Sequence, residues 1–166
     1  PKLAFDKAMS LSNTKTMSLS DKFCVERHKG DFLNLVKNKL DITFANEQEI
    51  KSLINAKNFQ DVIEFGKQLG KLLIITRGEK GSVAIENQEI IEIQSKHNLE
   101  IVDLTGAGDL FAAGFLHAFI KNASKKECLE KGTEMSSKII QKVGARLNWA
   151  ILLNEIAIFF TYYESF

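Results

Sequence analysis

The chain has 166 residues, 45% of them hydrophobic and 26% charged, the make-up of a folded domain long enough to bury a sizeable core. Its formal net charge of +1 gives no electrostatic reason to expect nucleic acid or an anionic membrane as a partner. Cys24 and Cys128 lie far apart with no CxxC spacing, which argues against a zinc site and suits reduced thiols in a cytoplasm; both sit in helix-like contexts and read as packing residues.

In chain order, residues 1–13 read as the end of a helix with no cap before it, which predicts a fragment of a longer chain. Lys15-Thr-Met-Ser-Leu-Ser20 alternates as a strand does, with Asp21 at its exit. Phe32, Leu33, Leu35, Val36 and Leu40 then recur at helical spacing. A second β-run, Leu40-Asp-Ile-Thr-Phe-Ala45, leads into Asn46-Glu-Gln-Glu49 and another helix. Asn46 with Glu49 three residues on is a capping-box pattern, and a cap alone accounts for both residues. The functional alternative is that the pair, at the carboxyl end of a strand, reaches phosphates or the water shell of Mg²⁺, an ion that keeps several waters when bound.

Asn58 caps the next helix, whose apolar face is Phe59, Val62, Ile63, Phe65, Gly66 and Leu69. The continuous apolar run Lys71-Leu-Leu-Ile-Ile-Thr76 predicts a central parallel strand buried on both faces. It ends in the glycine-bearing turn Thr76-Arg-Gly-Glu-Lys-Gly81, at the sheet edge where open α/β folds bind ligands. Residues 82–86 and 89–93 form a hairpin about Asn87-Gln88.

Next, Glu100-Ile-Val-Asp103 reads as a short β-run that breaks into Thr105-Gly-Ala-Gly-Asp109 and continues as an apolar helix to about Asn122. The first N–H groups of a helix have no intrahelical partner and its dipole makes that end electropositive, so strand, glycine turn and helix together form an anion site. Glycines at 106 and 108 allow the tight turn and a close approach. An acid at Asp109 repels a bound phosphate, yet it makes sense as a base facing the hydroxyl that attacks a phosphoryl group. The plainer alternative is an N-terminal acid stabilised by the dipole. Ser124-Lys-Lys-Glu127 is another capping box, opening a helix expected to end near Gly144. His117 reads as a half-buried histidine, Lys125-Lys126 as a solvated first turn, and Arg77 lies either near a bound ligand at that sheet edge or on the surface.

Asp103-x-Thr-Gly-Ala-Gly-Asp109 resembles the second signature of the ribokinase/PfkB family of sugar and nucleoside kinases. Asn46-x-x-Glu49, Thr76-x-Gly-x-x-Gly81 and Gly144-Ala-Arg146 stand in that family's order, and Thr16-Met-Ser-Leu-Ser20 with Leu40–Asn46 is most similar to its adenosine-kinase branch. Leu104 departs from the pattern, which usually has a small or hydroxylated residue there. The resemblance implies a ribokinase-like three-layer α/β/α fold with a mostly parallel central sheet, and transfer of the γ-phosphoryl group of ATP to a hydroxyl of a small sugar or nucleoside. Asp109 would be the catalytic base, and the backbone of Gly106, Ala107 and Gly108 the anion hole. Asn46 and Glu49 would help place phosphates and Mg²⁺, with Glu49 acting through water. Thr76, Gly78 and Gly81 would line the ribose and phosphate side, Thr133 and Ser136 the adenine side, and Asp103 and Thr105 would hold a monovalent cation such as K⁺.

The same resemblance implies a first half, with acceptor contacts and a small β-lid, that this sequence lacks. Residues 1–146 are therefore expected to be the C-terminal, nucleotide-binding half of a kinase domain, cytoplasmic and with little or no transferase activity alone. Family members often pair through the lid, which implies a homodimer for the longer protein. A nucleotide-binding or regulatory module that keeps the fold without catalysis is the alternative. Residues 147–166 form an apolar tail whose only charges are Glu155 and Glu164. Asn154 and Glu155 interrupt it, so a spanning helix is not expected. It either packs on the domain or is a non-native end, such as a shifted reading frame.

Overall fold

The computed structural model describes residues 7, 10, 11 and 13–147. The expected N-terminal helix lies mostly outside the described residues, and so does the apolar tail beyond Leu147.

Five strands form one sheet in the order of the chain. β1 (Thr16–Ser18), β2 (Ile42–Asn46) and β3 (Leu72–Thr76) pair in parallel. β4 (Ser82–Glu86) pairs antiparallel with β3 and with β5 (Glu89–Ile93), so β4 alone runs against the other four and the sheet is mostly parallel, as expected. The hairpin turn is at Asn87, whose φ of 54° is the left-handed conformation that a two-residue loop between twisted strands requires.

Helices cover both faces. The strand period of two sends Leu73, Ile75, Val83 and Ile85 to one side, where α1 (Lys22–Arg27), α3 (Glu47–Ile54) and α4 (Phe59–Leu69) bury Val25, Ile50, Leu53 and Val62 against them. Between α1 and α3 the chain forms α2 (Lys29–Asn34) and one π-helical turn, Leu35–Lys39. Ile42, Phe44, Ile74 and Ala84 face the other side, onto α5 (Ala107–Phe119) and α6 (Lys125–Ile139) through Phe111, Phe115, Cys128 and Leu129. Phe115 meets Phe44 edge to face at 5.4 Å. β3 is buried on both faces, as its unbroken apolar run predicts.

The start of α3 is a complete capping box: Asn46 accepts from the Glu49 N–H at 2.8 Å, and Glu49 Oε2 accepts from the Asn46 N–H at 2.9 Å. Asn58 and Ser124 open α4 and α6 in the same way. α5 and α6 cross on glycine: a Cβ at Gly114 would lie 2.7 Å from the Lys131 carbonyl oxygen, and one at Gly132 2.9 Å from that of Phe111. Neither position admits a larger side chain without parting the helices.

Four expectations are corrected. Glu100–Asp103 is not a strand: Ile101 and Val102 are exposed, and the N–H groups of Val102 and Asp103 both donate to the Ile140 carbonyl beyond the end of α6. Cys24 is exposed rather than packed, because it lies on the solvent side of α1, whose Val25 alone is buried; Cys128 is buried as expected. His117 is exposed, not half-buried, since α5 buries the stripe of Phe111, Gly114 and Phe115. Lys125 is not simply solvated, for it pairs with Glu86 and Glu89 on the hairpin. Two boundaries also move: α5 ends at Phe119 and α6 at Ile139.

Candidate active site

The carboxyl ends of β2 and β3, the turn after β3 and the start of α5 converge on one edge of the sheet. Two cavities open there. The larger, of about 690 Å³, is lined by Thr76, Gly78 and Gly81, by Ser95–Leu99, by Ala107 and Gly108 of α5, and by Thr133, Ser136, Ser137 and Ile140 along α6. The second, of about 380 Å³, is lined by Ser18, Ser20, Asn46, Glu49, Gly106 and Asp109. Thr76, Leu104, Ala107, Gly108 and Phe111 border both, so the first turn of α5 is the partition between them.

That turn is built from tertiary contacts rather than from a strand. Gly106 has φ 80°, and a Cβ there would sit 2.8 Å from the Cβ of Ala145; both the backbone and the space require glycine. Asp103 fastens the loop from within, Oδ1 accepting from the Thr105 N–H at 2.9 Å and Oδ2 from the Gly144 N–H at 2.8 Å. Those bonds, the Thr105 contacts first, hold its carboxyl below the usual aspartate value. Gly144 and Ala145 thus back the turn. Leu104, the departure from the family pattern, is exposed at the partition. Asp103 and Thr105 line neither cavity.

The start of α5 carries no side-chain cap, though the Ala107 N–H already donates to the Leu104 carbonyl at 3.2 Å; Asp109 sits in its first turn, exposed, facing the smaller cavity. Across that cavity Glu49 is buried with both oxygens held by Asn46, one by the backbone N–H and one by the side-chain amide at 2.7 Å. Burial pushes its carboxyl above the usual glutamate value, the Asn46 N–H opposes this, and the negative charge of Asp21 adds to it. The pair is a cap and lines the cavity as well, so the structural role does not displace the functional one. Among the described residues no three His, Cys, Asp or Glu side chains gather as a metal cage. A single buried carboxylate beside an open cavity also lined by Ser18, Ser20 and Asn46 fits an ion that keeps most of its own water, as Mg²⁺ does.

The structure brings together Asn46, Glu49, Gly106, Ala107, Gly108 and Asp109 on one side, and Thr76, Gly78, Gly81, Thr133 and Ser136 on the other. Arg77 is at neither: it packs over the Phe59 ring at 3.6 Å and pairs with Glu47 at 3.0 Å. Sequence reasoning missed Ser137, Ser82 and the Ser95–Leu99 wall. Ser137 follows Thr133 by one helical turn and so shares its face, a spacing that the sequence carries.

A family model for pfkB family carbohydrate kinases matches residues 4–151. The cytidine kinase of Thermococcus kodakarensis is 34% identical over 124 residues, covering 73% of this chain and 43% of that protein. Among solved structures, adenosine kinase from Sinorhizobium meliloti superposes with a TM-score of 0.84 at 34% identity over 88% of this chain and 46% of its own. A probable sugar kinase from Rhizobium etli gives 0.79 at 36%, over 84% and 42%. The chain thus spans less than half the length of each of these relatives. Among the described residues no helix is long and apolar enough to cross a membrane. With the ordered strand-end motifs meeting at one sheet edge and the family match running through all of them, the chain belongs to the pfkB family of carbohydrate kinases.

Proposed function

We propose that this chain is the nucleotide-side half of a kinase that transfers the γ-phosphoryl group of ATP to a hydroxyl of a nucleoside or sugar. One observation carries the reading: two cavities meet at an uncapped helix start, with a carboxylate, Asp109, on the side away from the larger one. The nucleoside part of ATP occupies the larger cavity, between Thr76, Gly78 and Gly81 and the Thr133–Ser136 wall. Its phosphates point at the N–H groups of Gly106, Ala107 and Gly108, donors aimed where charge develops, each worth about 3–4 kcal/mol in such sites. The acceptor hydroxyl lies in the smaller cavity. Asp109 takes its proton as the new O–P bond forms and the bond from the γ-phosphorus to the β,γ-bridging oxygen breaks, releasing ADP. Asn46 and Glu49 are the residues that would hold Mg²⁺ through its waters, where the ion would supply positive charge near the phosphates. Asp103 and Thr105 are the place for a monovalent cation such as potassium, each Asp103 oxygen keeping a lone pair beyond the N–H it accepts.

Binding of ADP with Mg²⁺ to the 166-residue chain, by calorimetry, tests the nucleotide side. Coupled ADP release on ribose, fructose, adenosine and cytidine tests the transfer: the chain alone turns over little, and robust turnover overturns the half-site reading. A second reading is a nucleotide-binding module without catalysis. In a longer protein that carries the acceptor half, Asp109→Asn separates the two: a kinase loses turnover while ADP binding stays nearly unchanged, whereas a pure binder has no turnover to lose.

A further inference from the structure

One polar atom has no place in the description so far. Ser82 is 2% exposed, and its hydroxyl oxygen is buried with no hydrogen-bond partner among the described residues. It opens β4 opposite Thr76, on the face it shares with Ala84 and Ile74, which is the face turned toward α5 and α6. That parity puts it on the floor of the larger cavity, below the wall of Thr133, Ser136 and Ser137, and it lines that cavity and not the smaller one where Asp109 lies. The neighbouring hydroxyls are already engaged: Ser136 and Ser137 both donate to the Thr133 carbonyl, at 3.1 and 2.6 Å. A buried hydroxyl that gives up water without a protein partner is a rarity in folded proteins, and each instance calls for a cause.

We infer that Ser82 is a specificity-determining residue whose hydroxyl hydrogen-bonds the base of the nucleotide bound in this cavity. The inference rests on the nucleotide reading proposed above and adds to it which floor residue reads the base. The N–H groups proposed for phosphate belong to the start of α5 and border both cavities, whereas Ser82 borders only the larger one, whose lining includes the apolar Leu99, Ile101 and Ile140; tripolyphosphate is the control for a phosphate contact. Apolar walls suit a flat heterocycle, and a hydroxyl that both donates and accepts suits its edge of ring nitrogens and exocyclic groups.

The test is the 166-residue chain against Ser82→Ala, titrated calorimetrically with Mg²⁺ and either ADP, 2′-deoxy-ADP or inorganic tripolyphosphate. Loss of one hydrogen bond to the base should weaken ADP and 2′-deoxy-ADP alike on the order of tenfold and leave tripolyphosphate unchanged. The thermal midpoint without ligand should hold or rise, since the variant removes an unpaired polar group, while the upward shift on adding ADP shrinks. Equal ADP binding by the two proteins overturns the inference and leaves the nucleotide reading standing. A penalty that vanishes with 2′-deoxy-ADP assigns the hydroxyl to the ribose and overturns the base assignment. Equal weakening of tripolyphosphate, or a lowered midpoint without ligand, makes Ser82 a structural residue and overturns it as well. If the unsubstituted chain binds no ligand of the three, the nucleotide reading falls and the inference with it.

Discussion

Two structures meet at the phosphate end of the site, and they are held by different means. The β2–α3 junction is regular: β2 is hydrogen-bonded on both sides, α3 starts on a reciprocal capping box, and Glu49 is buried within it. The loop from Glu100 to Gly106 is irregular and largely exposed, and it stays in place through residues some forty positions away, Ile140, Gly144 and Ala145. One wall is set by local chemistry and the other by tertiary contacts. The wall that would grip the moving phosphoryl group is the one that local rules do not fix.

The largest expected effect lies on the tertiary side. In the whole kinase, Asp109→Asn should lower kcat by about 10²–10⁴ with ADP affinity nearly unchanged, by steady-state kinetics and calorimetry; retained turnover removes Asp109 from the role of base. Gly106→Ala is next, because its Cβ both collides with Ala145 and demands a positive φ. It should cost about 2 kcal/mol of stability in a urea titration and weaken ADP binding too. On the regular side, Asn46→Ala should cost about 1 kcal/mol by removing the cap. A loss at Asn46 equal to that at Gly106 would erase the contrast.

The smallest effects are in pH dependence, and they have opposite signs. Glu49 is raised above its ordinary 4.5 by burial, so from 4.5 up to its folded value the native state holds more proton than the unfolded chain, and stability falls as pH rises. Asp103 is held below 3.8, so its contribution is present above 3.8 and is lost as pH falls through its folded value. Thermal midpoints between pH 2 and 7 should therefore lose their decline above 4.5 in Glu49→Gln and their acid limb in Asp103→Asn. A common response of both variants would mean that the two carboxyls share one environment.

The same division explains what could be read from the residues. The strands, the three capping boxes and the Asn87 hairpin depend on residues within five positions of one another, and they stand where periodicity and cap spacing predict. The Glu100–Asp103 run has the residue types of a strand, but its N–H groups turn to Ile140 instead. Lys125 shows the same limit, since its partners Glu86 and Glu89 come from a hairpin more than thirty residues earlier. Near the cavities, Gly78, Gly81 and Gly106 were legible as turn glycines because each has the positive φ that such turns require. Ser82 was not, because nothing in a strand of Ser-Val-Ala-Ile-Glu marks which hydroxyl lacks a partner.

The glycine crossing of α5 and α6 bears on the width of the larger cavity. The end of the larger cavity proposed for phosphate belongs to the first turn of α5, and the wall of Thr133 and Ser136 belongs to α6. With Gly114 against Lys131 and Gly132 against Phe111, backbone rests on backbone and the two helices have no slack along their seam. A larger side chain at either glycine would part the two helices and so widen the larger cavity that both of them line.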